Sequence, residues 1–271
     1  MKQTAIKQKP KPLQNILPKK TKSQIIIIKD IYKFRFINTN QFQKIFNHKY
    51  SKLVKKWLKD LRIKGYIDTD YKRNDINENR NSAKYFLTPL GRRFLKGQKG
   101  FDIDFLERVY KEKGRSTVFK NHCSDIVDMF LFLRSQKDPD EELKFFTEAN
   151  LTKYEYFPKT KFDAYIALQK KNKVRRFWLH IFNASDPKWL PVQKLKDYIK
   201  YYDENTWQEN TQDSNFPVLL FVLPTESFKY EVFKECQKVL QKAITVDIHL
   251  FIETKDAIKT KDPKRLWQKV D

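Results

Sequence analysis

Between Ser23 and Gly97 the chain changes its hydrophobic period in an order that few folds can use. Apolar positions recur at helical spacing through Gln24–Tyr32, and Ser23 is placed to cap the first turn. A turn over Phe34–Asn38 follows. A second short helix is expected to run to Phe46 from Thr39 or Asn40, either of which can cap it, with Phe42, Ile45 and Phe46 on one face. Tyr50 and Ser51 open a third helix that stops at Gly65, a residue type suited to the position after a helix end. Tyr66–Tyr71 then alternates like a strand, Lys72–Ser82 is rich in Asn and Asp and reads as a turn, and Lys84–Leu87 is a second strand. Thr88 and Pro89 start another helix, Thr as cap and Pro at the first position, which ends at Gly97.

Three helices, a two-stranded hairpin and a further helix are the order of a winged helix-turn-helix domain, here expected over residues 21–99 behind a flexible basic arm at 1–20. In its third helix Val54, Leu58 and Leu61 share a face that Leu53 and Trp57 widen, suited to packing. Lys52, Lys55, Lys59 and Arg62 fall on a separate face, with Lys56 beside them. A helix of this kind fits the major groove of DNA with its first residues nearest the bases. Lysines contact phosphates and give affinity and register. The expected base readers are Asn47, His48, Tyr50, Ser51 and Lys52, and Lys72, Arg73, Arg80 and Lys84 are the expected wing contacts, joined by Arg92 and Arg93 on the last helix.

Charge is distributed to match. Residues 1–100 hold 26 Lys and Arg against 6 Asp and Glu, and the remainder holds 30 against 27. A compositional bias towards Lys would spread evenly along the chain, so the N-terminal excess points to a polyanionic partner.

Residues 100–271 read as an α/β unit. Helices are expected over Phe101–Glu112, Phe119–Leu133, Pro191–Tyr202, Phe228–Ala243 and Thr254–Lys261. Strands are expected over Leu143–Thr147, Asp163–Leu168, Arg175–Phe182, Pro217–Leu223 and Thr245–Ile252. Glu148 and Asp163, at strand ends, could hold Mg²⁺, and His180 could assist; the metal would then activate water against a phosphodiester. Each has a plainer reading: Asp163 as a strand cap or a partner of Arg175 or Arg176, and His180 as a core histidine.

The chain resembles the replication-relaxation family of plasmid and mobile-element proteins, from about Gln24 to Ile252. The resemblance is carried by Tyr85–Arg93, by the helix with His122 and Asp125, by Phe146–Glu148, by Asp163–Ile166 and by Phe177–Ile181. It implies that the second unit is similar to the PD-(D/E)xK restriction-endonuclease-like fold, with a central mixed sheet of about four strands and flanking helices. That pattern has an acidic residue and then a Lys on the third strand, where this chain has His180 and Phe182. A catalytically degenerate unit, kept for dimerisation or partner contacts, is therefore expected. No cofactor is expected unless the site is active, in which case Mg²⁺ is.

Other classes are disfavoured. Only five Gly are present, with no phosphate-binding loop. No apolar run is long enough to span a membrane and no secretory leader is visible. Cys123 and Cys236 lie in apolar helical patterns, as buried free thiols of a reducing cytoplasm would. Double-stranded DNA binding in replication, mobilisation or their control, in the cytoplasm on a nucleoid or plasmid, is the leading expectation. Its partners would be DNA, a second copy of the chain or other replication proteins. A metal-dependent nuclease or nickase and a transcriptional repressor are the alternatives.

Overall fold

In the computed structural model the described residues are 18–70, 83–152, 154–211, 215–243, 245–260 and 267–271. Most of the expected arm, and the expected wing residues Lys72, Arg73 and Arg80, lie outside them. The N-terminal part contains α1 (Lys22–Phe34), β1 (Ile37–Asn38), α2 (Thr39–Ile45), α3 (Lys52–Ile63), β2 (Ile67–Thr69), β3 (Lys84–Leu87) and α4 (Pro89–Lys96). Its strands form an antiparallel sheet in the order β1-β3-β2.

Helix starts differ from expectation by one or two residues, for one reason. Thr21 caps α1 rather than Ser23, because Gln24 reaches back to the Thr21 backbone and completes a reciprocal capping box. Asn38 caps α2 rather than Thr39 or Asn40, paired in the same way with Gln41. Strand β1 replaces part of the expected turn; two residues are too short to display an alternation. Gly65 has φ +75°, the left-handed conformation expected of it. Gly91 is required for a different reason, since a Cβ there would sit 2.2 Å from the Tyr66 carbonyl oxygen.

The remainder contains α5 (Ile103–Arg108), a 3-10 turn (Glu112–Gly114), α6 (Thr117–Gln136), β4 (Glu142–Phe146), α7 (Glu148–Leu151), β5 (Ala164–Lys170), β6 (Lys173–Ile181), α8 (Trp189–Asp203), α9 (Thr206–Thr211), β7 (Val218–Leu223), α10 (Glu226–Lys242), β8 (Leu250–Thr254), α11 (Lys255–Thr260) and β9 (Gln268–Val270). The fold is α/β around a mixed sheet of six strands, not about four, in the order β4-β5-β6-β7-β8-β9. Strands β6, β7 and β8 run parallel, and β4, β5 and β9 are antiparallel to their neighbours. The short elements α7, α9 and β9 carry too few residues to show a period, and the sequence does not announce them.

Successive residues of a strand point to opposite faces, and the two faces have different cores. Ala164, Ile166, Leu179, Ile181, Leu220 and Val222 belong to one buried cluster, which also contains Ile27, Tyr32 and Phe34 of α1, Val127 of α6, and Val54, Leu58 and Leu61 of α3. Tyr165, Trp178, Leu219 and Phe221 face a second cluster with Tyr198 of α8, Trp207 of α9 and Val232 of α10. Apolar packing is thus continuous across residue 100.

Polar ties reinforce this packing. The Tyr32 hydroxyl donates to the Ala149 carbonyl at 2.9 Å, and Thr147 Oγ1 donates to the Lys33 carbonyl at 2.6 Å. Gln41 Nε2 on α2 reaches Ser124 O, Ser124 Oγ and Asp128 Oδ1 on α6 at 2.8–2.9 Å. Arg134 donates to the Ile45 and Lys44 carbonyls at the end of α2, where a cation is also favoured by the helix dipole. Cys123 and Cys236 are buried free thiols, and burial pushes each thiol pKa up to about 12.

Candidate functional site

Helix α3 separates its two faces as its sequence dictates. Val54, Leu58 and Leu61 are fully buried, whereas Lys52, Lys55, Lys56, Lys59 and Arg62 are exposed. Leu53 departs from expectation: it is 42% exposed, because it lies beyond the edge of the packed stripe. Trp57 is half-buried, its ring 5.2 Å from that of Phe46 and 5.6 Å from His48. The His48 ring is therefore held against aromatics. Tyr50 is 70% exposed and Asn47 is exposed with φ +53°. Ser51 precedes α3 without a side-chain capping bond.

The other expected contacts divide. Arg93 is exposed. Arg92 is half-buried and donates through Nη1 to the Leu106 carbonyl at 3.1 Å. Lys84 is half-buried and donates to Asn121 Oδ1 on α6, and burial lowers its pKa.

Around Asp163 the arrangement is tighter than sequence suggested. Asp163 Oδ1 lies 2.6 Å from His122 Nε2, and Oδ2 accepts from the Ile181 backbone N–H at 2.6 Å. Helix α6 supplies the histidine, the entry to β5 the carboxylate and the end of β6 the amide. Burial pushes the Asp163 pKa up, but the His122 charge, its hydrogen bond, His180 and the Ile181 amide together leave it below the ordinary value. Burial pushes His122 down, yet the Asp163 charge and hydrogen bond leave it raised. Asp163 thus pairs with His122, while Arg175 pairs with Glu141 at 2.7 Å.

His180 is 1% exposed and its Nε2 lies 2.9 Å from the Tyr198 hydroxyl. Burial, with the Lys194 charge adding to it, lowers its pKa to about 3, so it is a neutral core residue. Glu148 follows β4 but opens α7, more than half exposed, 3.7 Å from Arg108. Glu148 and Asp163 do line the same 680 Å³ cavity. As a Mg²⁺ site the donor set does not fit. Both Asp163 oxygens already accept a short hydrogen bond, His180 is turned to Tyr198, and among the described residues no group of three or more His, Cys, Asp or Glu side chains is placed to hold a metal.

Sequence reasoning assigned no role to several groups here. Lys255 of α11 donates to Asp125 Oδ2 at 2.6 Å and to Asn183 Oδ1 at 3.3 Å, and Asn183 Nδ2 lies 3.4 Å from His122 Nδ1. Arg35, Arg108, Arg115, Lys159 and Lys161 line the 680 Å³ cavity together with His122 and Asp163. His122 and Asp125 were visible as a motif, but nothing local pairs them with residues far along the chain.

No helix among the described residues is long and apolar enough to cross a membrane. A protein-family model described as replication-relaxation matches residues 28–219, which takes in both faces of α3 and the His122–Asp163 pair. No curated protein matches the chain.

Proposed function

The chain belongs to the replication-relaxation family, which supports a role in plasmid or mobile-element replication or relaxation, and on that premise we propose that it acts there by binding double-stranded DNA through a winged helix whose reading helix is α3. The observation that carries this reading is the division of α3: three apolar side chains are fully buried while five cations, Lys52, Lys55, Lys56, Lys59 and Arg62, remain exposed on one helix. Five like charges on 12 residues repel one another without an anionic partner. Among the described residues, Arg62 alone of the five is within salt-bridge range of a carboxylate, Asp68 at 3.7 Å.

The face is richer in lysine than in arginine, so its contribution is to phosphate neutralisation. Base contacts fall to exposed Tyr50 and Asn47 at the helix entry. The His48 ring, packed on Phe46 and Trp57, supports that entry rather than reaching beyond it. The six-stranded unit serves as platform and partner surface; its Asp163 acts as a structural anchor and no cleavage step is assigned to it.

The test is a titration of labelled duplex with the full chain between ~50 and ~200 mM salt. Each neutralised phosphate steepens the fall in affinity with salt. Lys52→Ala, Lys55→Ala and Lys59→Ala combined should flatten that slope by about three phosphates' worth. A slope unchanged by the triple variant places the duplex elsewhere.

A further inference from the structure

The second part of the chain is nearly neutral, with 30 Lys and Arg against 27 Asp and Glu in residues 101–271, yet it does not distribute its cations evenly. Arg108, Arg115, Lys159 and Lys161 converge with Lys33 and Arg35 on the 680 Å³ cavity, which is lined by the end of α1, by α5, α6 and α7 and by residues 154–163. Among the described residues the carboxylates lining it are Glu148, 3.7 Å from Arg108, and Asp163, already held by His122 and the Ile181 amide. Behind it Arg35 and Arg115 share one buried carboxylate, Glu112, which Arg35 contacts directly and Arg115 approaches at 4.0 Å. Two guanidiniums against one carboxylate leave positive charge uncompensated.

The cavity is also aromatic. The Phe119 ring lies 4.5 Å from the Arg35 guanidinium and 5.3 Å from that of Arg115. Tyr154, 50% exposed, meets Phe157 edge-on at 5.9 Å, and all three rings line the cavity. A second cavity of 360 Å³ shares Phe119, His122, Lys161 and Asp163 with the first and adds Lys194. Phe119 and Phe157 are half-buried, which leaves the exposed Tyr154 ring free to stack among the cations, an arrangement that suits a ligand alternating phosphates with flat bases. A cavity of 680 Å³ is the size of small-ligand sites, too narrow for a duplex but sufficient for an unpaired nucleotide, and its neighbour gives room for the next.

We propose that this cavity binds a single-stranded nucleic-acid segment, with Arg115, Lys159 and Lys161 on the phosphates and Tyr154 stacked on a base. The site is separate from the α3 face. The proposal rests on the nucleic-acid reading above only in the class of ligand, so a duplex can occupy α3 while an unpaired strand enters the cavity. Lys159 and Lys161 are exposed and Arg115 is half-buried, so all three are within reach of a ligand.

The experiment uses the full chain and a fluorescein-labelled 12-nucleotide oligothymidylate, which cannot pair with itself, followed by anisotropy at ~50 mM salt. Arg115→Ala, Lys159→Ala and Lys161→Ala combined should weaken oligothymidylate binding about tenfold or more and leave duplex affinity within about twofold. The α3 triple variant should do the reverse. Tyr154→Ala should weaken the strand several-fold, and Tyr154→Phe should restore it, because stacking needs the ring and not the hydroxyl. Thermal unfolding at the wild-type temperature certifies that each variant folds. Equal oligothymidylate binding by wild type and the cavity variant overturns the proposal. So does an equal loss in both triple variants, which would mark general charge attraction. Displacement of the oligonucleotide by inorganic phosphate or thymidine monophosphate at matching concentrations would also overturn it, marking a small-anion pocket. If instead the α3 variant keeps duplex binding while the cavity variant loses the strand, the α3 reading falls and this one stands.

Discussion

His122 Nε2 and Asp163 Oδ1 lie 2.6 Å apart across 41 residues of sequence, and this contact pins α6 to the entry of β5. Both side chains are about one-fifth exposed, so the pair sits in partly excluded solvent. Its environment stabilises the charged form of each partner relative to the unfolded chain. Its stabilisation therefore has a window. The aspartate share is present above the unfolded value near 3.8 and is lost as pH falls through the lower folded value. The histidine share is present below the unfolded value near 6.5 and is lost as pH rises through the higher folded value.

His122→Ala should accordingly cost about 2 kcal/mol, the worth of a hydrogen bond to a charged group and less than breaking a fully buried pair, because of the residual exposure. Urea unfolding at several pH values should give the largest deficit between pH 3.8 and 6.5, with the deficit shrinking on either side. A deficit that does not vary with pH would mean that the pair acts through packing alone.

His180 predicts acid sensitivity of the opposite sign. Its folded value of about 3 lies below its ordinary 6.5, so the neutral ring stabilises the fold above pH 6.5 and that contribution declines as pH falls towards 3. One such group steepens stability by up to about 1.4 kcal/mol per pH unit within that interval. His180→Gln, which can still hydrogen-bond to the Tyr198 hydroxyl, should unfold with a shallower acid dependence. Identical slopes would refute this.

Asp30 predicts a gain on substitution. Burial raises its pKa to about 6 against the opposing pull of Lys33 and Arg134, and its Oδ2 is buried without a hydrogen-bond partner among the described residues. The ionised form is penalised in the fold, so wild-type stability falls as pH rises from 3.8 to about 6. Asp30→Asn should be more stable than wild type by about 3 kcal/mol at neutral pH and equal to it below pH 3.8. Chemical denaturation at about pH 3.5 and about pH 7.5, on either side of the shifted titration, separates the two conditions.

Gly91→Ala should be among the costliest single-methyl changes in the chain. The added Cβ meets the Tyr66 carbonyl at 2.2 Å and a Leu87 methyl at 3.1 Å, and a backbone oxygen cannot swing aside. Helix α4 must then move off the β2–β3 hairpin, at about 1–3 kcal/mol for overpacking. A melting temperature within about 1 °C of wild type would show that α4 yields freely.

Legibility from sequence followed contact range. The two faces of α3 were readable because a helical period is local: Val54, Leu58 and Leu61 are buried and Lys52, Lys55 and Lys59 exposed. Leu53 misled, since hydrophobicity alone does not reveal where a packed stripe ends. Four strands of the mixed sheet lie close to their expected places, whereas the expected strand Thr245–Ile252 meets β8 only at Leu250–Ile252, and β9 adds three edge residues that carry no alternation of their own. Asp163 was identifiable as unusual, and its partner was not, because nothing near either residue announces a contact between α6 and β5. Glu148 looked like a metal ligand because it follows a strand; the four-residue helix α7 turns it towards Arg108 instead. The basic cavity drew on Lys33, Arg35, Arg108, Arg115, Lys159 and Lys161, four separate stretches that only the fold gathers.

The shared apolar cluster has a consequence for how such a chain can change over time. Cutting it near residue 100 would strip Tyr32 and Phe34 of their contacts with Ala149, Phe130 and Phe145, and would leave Gln41 without Ser124 and Asp128. Neither fragment would inherit a finished surface. Recombination that traded one N-terminal half for another would have to bring along matching α6 and β4 residues, so the two halves are inherited as one block.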